Sequence, residues 1–421
     1  MMSRENIKLF LLCAIVITIC FSRLNLNSNF IVLLTAAWLA GGRLKRRFQV
    51  LLKDKLFIAY LLYVVIQAIG ITMSDDLKPG WKEVESKLGF LAIPVVLCSR
   101  GFHTENMRRK VMLVFGMGLT VAALYCISVA IFKYSVSHDT TVFFYHELMR
   151  PLDHHAVYFA VFTFINLVFL VSELRHFSWF KKNRVVYVVW VAFYLVLLFL
   201  LSSKMVLLIT ALYLISQLIL SIRSAKTAIW PQLLGAFSIL LIVVLVLVTD
   251  NPVKRRFADL KGNIELLSLN KYNEAMYFNG WQLRLLLWRF TFEIIHEKNA
   301  WLTGVGPTND QAALQQKYLD MGLYKGLESR GDQGYLEFNC HNQFLQSSLQ
   351  SGVPGLLAFA AWCVILAART IRKGKTVLTW MVLIIFAFFF IESVFERQYG
   401  MVLSTLFPLL YLYAKPDPVN S

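Results

Sequence analysis

Along most of the chain apolar residues run on without the alternation of a strand or the narrow stripe of a surface helix. Such runs lie near 7–22, 28–42, 56–73, 88–98, 111–132, 155–174, 185–201, 205–220, 230–249, 352–368, 376–392 and 399–414. A helix needs about 20 apolar residues to cross a bilayer core. The pattern therefore predicts an all-α polytopic membrane protein with about 12 transmembrane helices. The stretch 184–222 is too long for one crossing, since about 38 helical residues span about 57 Å against a core of about 30 Å. Ser202-Ser203-Lys204 interrupts it, so two spans joined by a tight turn are expected there. The connections are short except for 251–341, a loop inserted between the ninth and tenth spans of a single transmembrane domain covering 1–421.

Composition supports this reading. The 421 residues are 57% hydrophobic and only 16% charged, against roughly 25% charged in soluble globular chains. Disorder, a disulfide scaffold, a coiled coil and a soluble doubly wound sheet are excluded. A net charge of +17 would ordinarily suggest a nucleic-acid partner. Here the basic residues follow the topology instead. An even number of spans puts both termini on one side. On that side lie Arg43-Leu44-Lys45-Arg46-Arg47, Arg108-Arg109-Lys110, Lys181-Lys182-Asn183-Arg184, Arg223 with Lys226, and Arg372-Lys373-Gly374-Lys375. The positive-inside rule makes that side cytoplasmic, and no nucleic acid is implied. The first run, behind Arg4 and Lys8, lacks the small-residue cleavage site of a signal peptide and reads as a span. Cysteines at 13, 20, 98, 126, 340 and 363 show neither a disulfide framework nor a zinc spacing.

The loop 251–341 falls on the outer face, and loops of this length usually carry function. It leaves the membrane with Lys254-Arg255-Arg256. Near 283–298, Leu285, Trp288, Phe292 and Ile295 recur at helical spacing, a stripe expected to lie on the membrane surface or against the bundle. Gly304-Val305-Gly306-Pro307 reads as a turn.

Three outer-face features can be gathered by this topology. Lys204 sits at the turn between spans seven and eight, either as a snorkelling lysine or as part of an anion site. Arg284 shares a helix face with Trp288, while Arg289 points elsewhere. An interfacial amphipathic helix and a phosphate-binding role both fit that pattern. His341-Asn342 opens the tenth span and leads into Gln343-Phe344-Leu345-Gln346-Ser347-Ser348-Leu349-Gln350-Ser351-Gly352-Val353-Pro354-Gly355. So polar a run is unusual in a membrane helix and is expected to face a cavity. Gly352, Pro354 and Gly355 would bend it or allow close packing. Asp153-His154-His155, with Tyr158 one turn on, is either an interfacial cap or a sugar contact. Glu392 to Arg397 end span eleven, either as a sugar contact or, the favoured reading, with Glu396 and Arg397 as solvated loop charges.

His341-Asn342 followed by Gly352-Val353-Pro354-Gly355, with Arg284, Trp288 and Gly304-Val305-Gly306 upstream, resembles the O-antigen ligase and O-antigen polymerase superfamily. The twelve-span layout with a large loop between the ninth and tenth spans is similar too. Members of that superfamily carry Ser-Arg at the turn where this chain has Ser203-Lys204. Lysine keeps the charge but loses the bidentate fork. The resemblance implies a membrane-embedded glycosyltransferase of the GT-C kind, in a bacterial inner membrane with both termini cytoplasmic and its active site periplasmic. The donor would be a glycan on undecaprenyl diphosphate. The acceptor would be lipid A–core oligosaccharide for a ligase, a second lipid-linked repeat for a polymerase, or protein for a third branch.

In such a transfer the leaving group is a lipid diphosphate, so fixed positive charge matters more than a strong acid. Arg284 and Lys204 can supply it, with Arg289 and the 254–256 cluster in reserve. The outer segments offer no Asp-x-Asp pair near His341, which leads to the expectation of no metal and no cofactor. His341 is the candidate base, and Asn342, His155 and Tyr158 are further substrate contacts. A transporter or flippase of lipid-linked glycans is the competing class. Transporters built from two halves should show matched broken helices and ionisable residues in mid-membrane. Neither is evident here.

Overall fold

The computed structural model describes residues 3–24, 26–73, 77–99, 101–174, 177–223, 264–327 and 334–417. It is helical throughout these segments. In chain order come α1 (Arg4–Cys20), α2 (Asn27–Leu39), α3 (Leu44–Leu51), α4 (Lys55–Gly70), α5 (Leu77–Leu97), α6 (Glu105–Ser137), α7 (Tyr145–Met149), α8 (Ala156–Ser172), α9 (Ser178–Lys182), α10 (Arg184–Leu201) and α11 (Lys204–Arg223). The long loop contributes α12 (Gly280–Glu297) and α13 (Asp310–Asp320). The bundle closes with α14 (Gln343–Lys373), α15 (Thr376–Phe389) and α16 (Gln398–Leu412).

Among the described helices, α6, α10, α11 and α14 are long and apolar enough to cross a membrane. The bent pair of Tyr145–Leu152 with Ala156–Ser172 makes a fifth candidate, its two arms meeting at 88°. Shorter apolar helices lie at Asn27–Leu39, Lys55–Gly70, Lys87–Leu97, Thr376–Phe389 and Gln398–Leu412. Phe132 (71% exposed), Val185 (76%) and Ile371 (77%) point outward from their helices. In a soluble protein such a surface would aggregate, whereas against lipid it is satisfied. The chain is therefore an integral membrane protein. Eleven of the expected spans coincide with described helices. The ninth, 230–249, and the Lys254-Arg255-Arg256 cluster lie outside the described residues.

Local chemistry sets the helix ends. Asp54 caps α4 by accepting from the amides of Leu56 (2.9 Å) and Phe57 (3.3 Å), and Thr104 caps α6 through Met107 N–H (3.2 Å). Ser202, in the left-handed region at φ 44°, ends α10 and lets the chain reverse into α11 at Lys204. The tight turn expected at Ser202-Ser203 is present. The Arg43–Arg47 connection is not a bare loop, because its alternating basic and apolar residues form the amphipathic helix α3.

α14 packs along α4, α1 along α6, and α5 along α16. Where α4, α5, α14 and α15 meet, Tyr60, Tyr63, Phe90, Phe359, Trp362, Phe389 and Phe395 form an aromatic core, with Phe90 and Phe395 4.5 Å apart. The long loop has a separate core of Leu286, Leu287, Phe290, Ile294, Leu314, Tyr318 and Leu349. This corrects the expected stripe on α12. Phe292 is exposed and Leu285 only half-buried, because α13 covers a different face and α12 belongs to a small folded unit rather than lying flat on lipid.

Candidate active site

The polar run that opens α14 explains how loop and bundle are joined. Asn342 caps the helix, its side-chain oxygen accepting from Phe344 N–H (2.9 Å) and Leu345 N–H (3.2 Å). Gln343, Gln346 and Gln350 recur at helical spacing on a buried face. They do not line an open cavity, as the sequence suggested, but hold neighbouring chain. Gln343 accepts from Phe395 N–H at 2.8 Å, while Gln346 and Gln350 donate to Asp310 at 2.5 and 2.7 Å. Lys87 of α5 donates to Gln350 at 3.0 Å and lies 3.7 Å from Glu396. An ionisable side chain therefore does sit inside the bundle, and Glu396 is not a solvated charge. Burial, followed by the charge of Glu396, raises the Asp310 carboxyl above its ordinary range.

α14 is broken between Gln350 and Val353, where Ser351 (φ −137°) and Gly352 (φ 64°) leave helical geometry. Loop residues take up the freed backbone groups. Val305 N–H donates to Leu349 C=O (2.8 Å), Gly306 N–H to Gln350 C=O (3.2 Å), and Val353 N–H to Trp301 C=O (2.7 Å). A Cβ at Gly304 would stand 2.4 Å from the Gln350 carbonyl carbon, and one at Gly352 would stand 2.5 Å from that of Leu302. Both glycines also have positive φ. The Gly-Val-Gly and Gly-Val-Pro-Gly motifs are thus two sides of one backbone interlock. Pro354 falls in the first turn after the break, where a missing N–H is tolerated.

This interlock holds His341 just ahead of α14. His341 has left-handed backbone geometry (φ 46°), and its amide donates to Asn339 Oδ1 at 2.9 Å. Its ring Nδ1 lies 3.1 Å from Oε1 of Glu392, in the turn between α15 and α16. Arg284, near the start of α12, donates from Nε to Ile391 C=O (2.9 Å) and from Nη1 to Gly280 C=O (2.7 Å). A capping box between Asn279 and Gln282 fixes that helix start. His341, Glu392 and Arg284 thus come together from three stretches of chain.

Glu392 is 3% exposed. Burial would raise its carboxyl, but the His341 charge and hydrogen bond, with His155 and Arg284 nearby, hold it down at about 2. It is a fixed negative charge that places the Nδ1 proton of His341 toward itself. His341 Nε2 makes no hydrogen bond among the described residues. His155, at the start of α8, neighbours the same carboxylate, and burial lowers its ring to about 3. Its ring packs against His146 (4.6 Å) and Tyr158 (5.5 Å). Glu392 Oε2, His155 Nδ1 and Tyr158 Oη are buried without a hydrogen-bond partner among the described residues.

The other expected site residues sit differently. Arg289 is committed to the loop itself, bonding Glu293 (2.6 Å) and the carbonyls of Leu267 (2.6 Å) and Leu269 (2.9 Å). Asn342 is the helix cap, with its amide N–H on Ser393 at 3.4 Å. Lys204 is half-buried at the start of α11, beside the buried Ser202 and Ser203. Among the described residues no hydrogen bond of Arg284, His341 or Glu392 reaches it. Among the described residues no three His, Cys, Asp or Glu side chains are gathered as metal ligands. Sequence reasoning gave Glu392 little weight. Its signal was a carboxylate at the very end of an apolar run, where an unpaired charge would be costly.

Residues 187–360 match the family model described as O-antigen ligase, so the chain carries a domain of that family from within α10 to within α14. The matched region contains Lys204, Arg284, His341 and the interlock, while Glu392 and His155 lie outside it. No curated protein matches the chain.

Proposed function

Taking this O-antigen ligase family domain as the premise, we propose that the protein transfers a glycan from undecaprenyl diphosphate to lipid A–core oligosaccharide at the periplasmic face of a bacterial inner membrane. The observation that carries the reading is the His341–Glu392 pair at 3.1 Å, with Arg284 beside it. His341 Nε2 takes the proton of the acceptor hydroxyl as that oxygen attacks the anomeric carbon. Glu392 fixes the tautomer and stabilises the imidazolium that forms. The bond from the anomeric carbon to the diphosphate oxygen breaks, and the lipid diphosphate leaves with the electron pair. Arg284 Nη2, which makes no hydrogen bond among the described residues, and Lys204 are assigned to the departing charge. Attack opposite the leaving group inverts the anomeric centre. The chemistry needs no metal, because guanidinium and ammonium groups take the place of the ion. Twelve spans of GT-C type, with the loop 251–341 over the outer leaflet, complete the reading.

The test is transfer in proteoliposomes with His341→Ala and Arg284→Ala. Both variants should insert normally and lose transfer, and near-normal transfer by either removes that residue from the mechanism. Deletion in cells separates the acceptors. Loss of all lipid A–linked repeats is expected for this reading, whereas retained single repeats indicate a polymerase on the same donor.

A further inference from the structure

Beside this cluster is a polar cavity that the transfer mechanism does not use. It has a volume of about 460 Å³ and is lined by Thr18, Ile19, Ser22, Arg23, Asn27, Ser28, Asp153, Arg397, Gln398 and Tyr399. Those residues come from the α1–α2 turn, the corner before α8 and the start of α16. Arg23 makes no hydrogen bond or ion pair among the described residues. Among the described residues Arg397 hydrogen-bonds only Tyr399 Oη, at 2.9 Å. Asn27 donates to Ile15 C=O (2.9 Å) and Thr18 Oγ1 (3.0 Å), but its own buried Oδ1 accepts nothing. The wall between this cavity and the catalytic pair is thin and aromatic. Tyr399 packs 4.5 Å from Tyr158, and Tyr158 packs 5.5 Å from His155.

Two guanidiniums against one carboxylate, Asp153, favour an anion. Several hydroxyl and amide groups and a tyrosine face favour a sugar. The size is that of a small-ligand pocket, which runs roughly 300–1,000 Å³. We propose that this cavity is the acceptor subsite and takes a phosphorylated saccharide of the acceptor glycolipid, with Arg23 and Arg397 on its phosphate and the Tyr399 ring and neighbouring amides against the sugar. The inference rests on the transferase reading, since it supplies the second substrate of that reaction. It also separates the two substrates in space: the donor diphosphate lies on the Arg284 side of the Tyr158–Tyr399 wall, and the acceptor phosphate lies on the Arg23 side.

The experiment measures binding of lipid A–core oligosaccharide to the full chain in phosphatidylethanolamine vesicles. The background is His341→Ala, so that no turnover occurs. Saturable binding is expected, weakened at least tenfold by Arg23→Glu or Asn27→Leu and likewise by dephosphorylating the probe. Arg23→Lys should restore most of it. In the otherwise native chain, Arg23→Glu should raise the acceptor KM and leave the donor KM unchanged. Absence of probe binding, equal binding by the cavity variants, or displacement of the probe by phosphatidylglycerol at similar concentration overturns the proposal. The last result identifies an ordinary lipid headgroup site. Transfer surviving in His341→Ala would instead refute the base assignment while leaving the binding result to stand alone.

Discussion

The two ends of the helix bundle both gather charge, and they use it differently. At the end bearing Glu105, Arg108 is 1% exposed and fully answered. It bonds Glu105 at 2.7 and 2.8 Å and Glu173 at 2.8 and 3.1 Å, and lies 4.1 Å over the Tyr411 ring. Lys375 also reaches Glu105, while Asp54 receives Arg369 (3.1 Å) and Tyr413 (2.8 Å). These contacts tie α4, α6, α14 and the chain ends of α8 and α16 together. At the His341 end, one Glu392 oxygen is bound and the other is not, and Arg284 holds only carbonyls. Charge alone therefore does not mark a site. What distinguishes the second end is a histidine ring paired with a buried carboxylate, with an arginine beside it.

The sharpest way to break this contrast is to remove one residue from each end. His341→Ala should lower transfer by roughly 10²–10⁴-fold with little change in thermal stability. Arg108→Ala should do the reverse. Glu173 loses its cation and Glu105 keeps only Lys375, so yield and melting temperature fall while each folded molecule stays active. Equal behaviour of the two variants would dissolve the distinction. Glu392→Gln is the next largest effect. It keeps an acceptor for the His341 Nδ1 proton but removes the charge, and transfer should drop roughly 10–100-fold. A shift of the pH–rate profile would separate this from simple misfolding.

Gly304→Val tests the interlock that presents His341. Left-handed geometry and the 2.4 Å approach to the Gln350 backbone should cost about 1–3 kcal/mol, read as earlier melting and greater protease sensitivity of the loop. The smallest effect is in pH. His154 and His155 are held by burial at about 4 and 3, below their ordinary 6.5. Between those values the unfolded chain binds more protons than the folded one, so stability should fall as pH drops from 6.5 toward 4. Asp310 works in the opposite sense, since its raised carboxyl stays protonated in the folded state above 3.8. Asp310→Asn should therefore steepen the acid loss, measured as melting temperature against pH.

Much of this was legible in the sequence because lipid imposes strong rules. Apolar run lengths located helices such as α10 and α11, and Ser202-Ser203-Lys204 located the turn between them. The spacing from His341 to Gly352 was also readable, because a polar helix start followed by Gly and Pro is rare in a membrane segment. Partner identity was not readable. Nothing in the local sequence says that Gln350 meets Asp310, that Lys87 lies between Gln350 and Glu396, or that Glu392 faces His341, since these contacts join segments far apart in the chain. The buried face of α12 was misjudged for a related reason: α13, which determines it, has a weak pattern of its own.

The seam between Trp301–Gly306 and Leu349–Val353 has a bearing on how such a protein can be modified. Because each strip supplies hydrogen-bonding groups that the other lacks, neither is a transplantable module. A chimera that exchanges the loop with a relative's should assemble only when the glycine-containing stretch of α14 travels with it. The natural cut points therefore fall within α14, beyond Pro354, rather than at the visible edges of the loop.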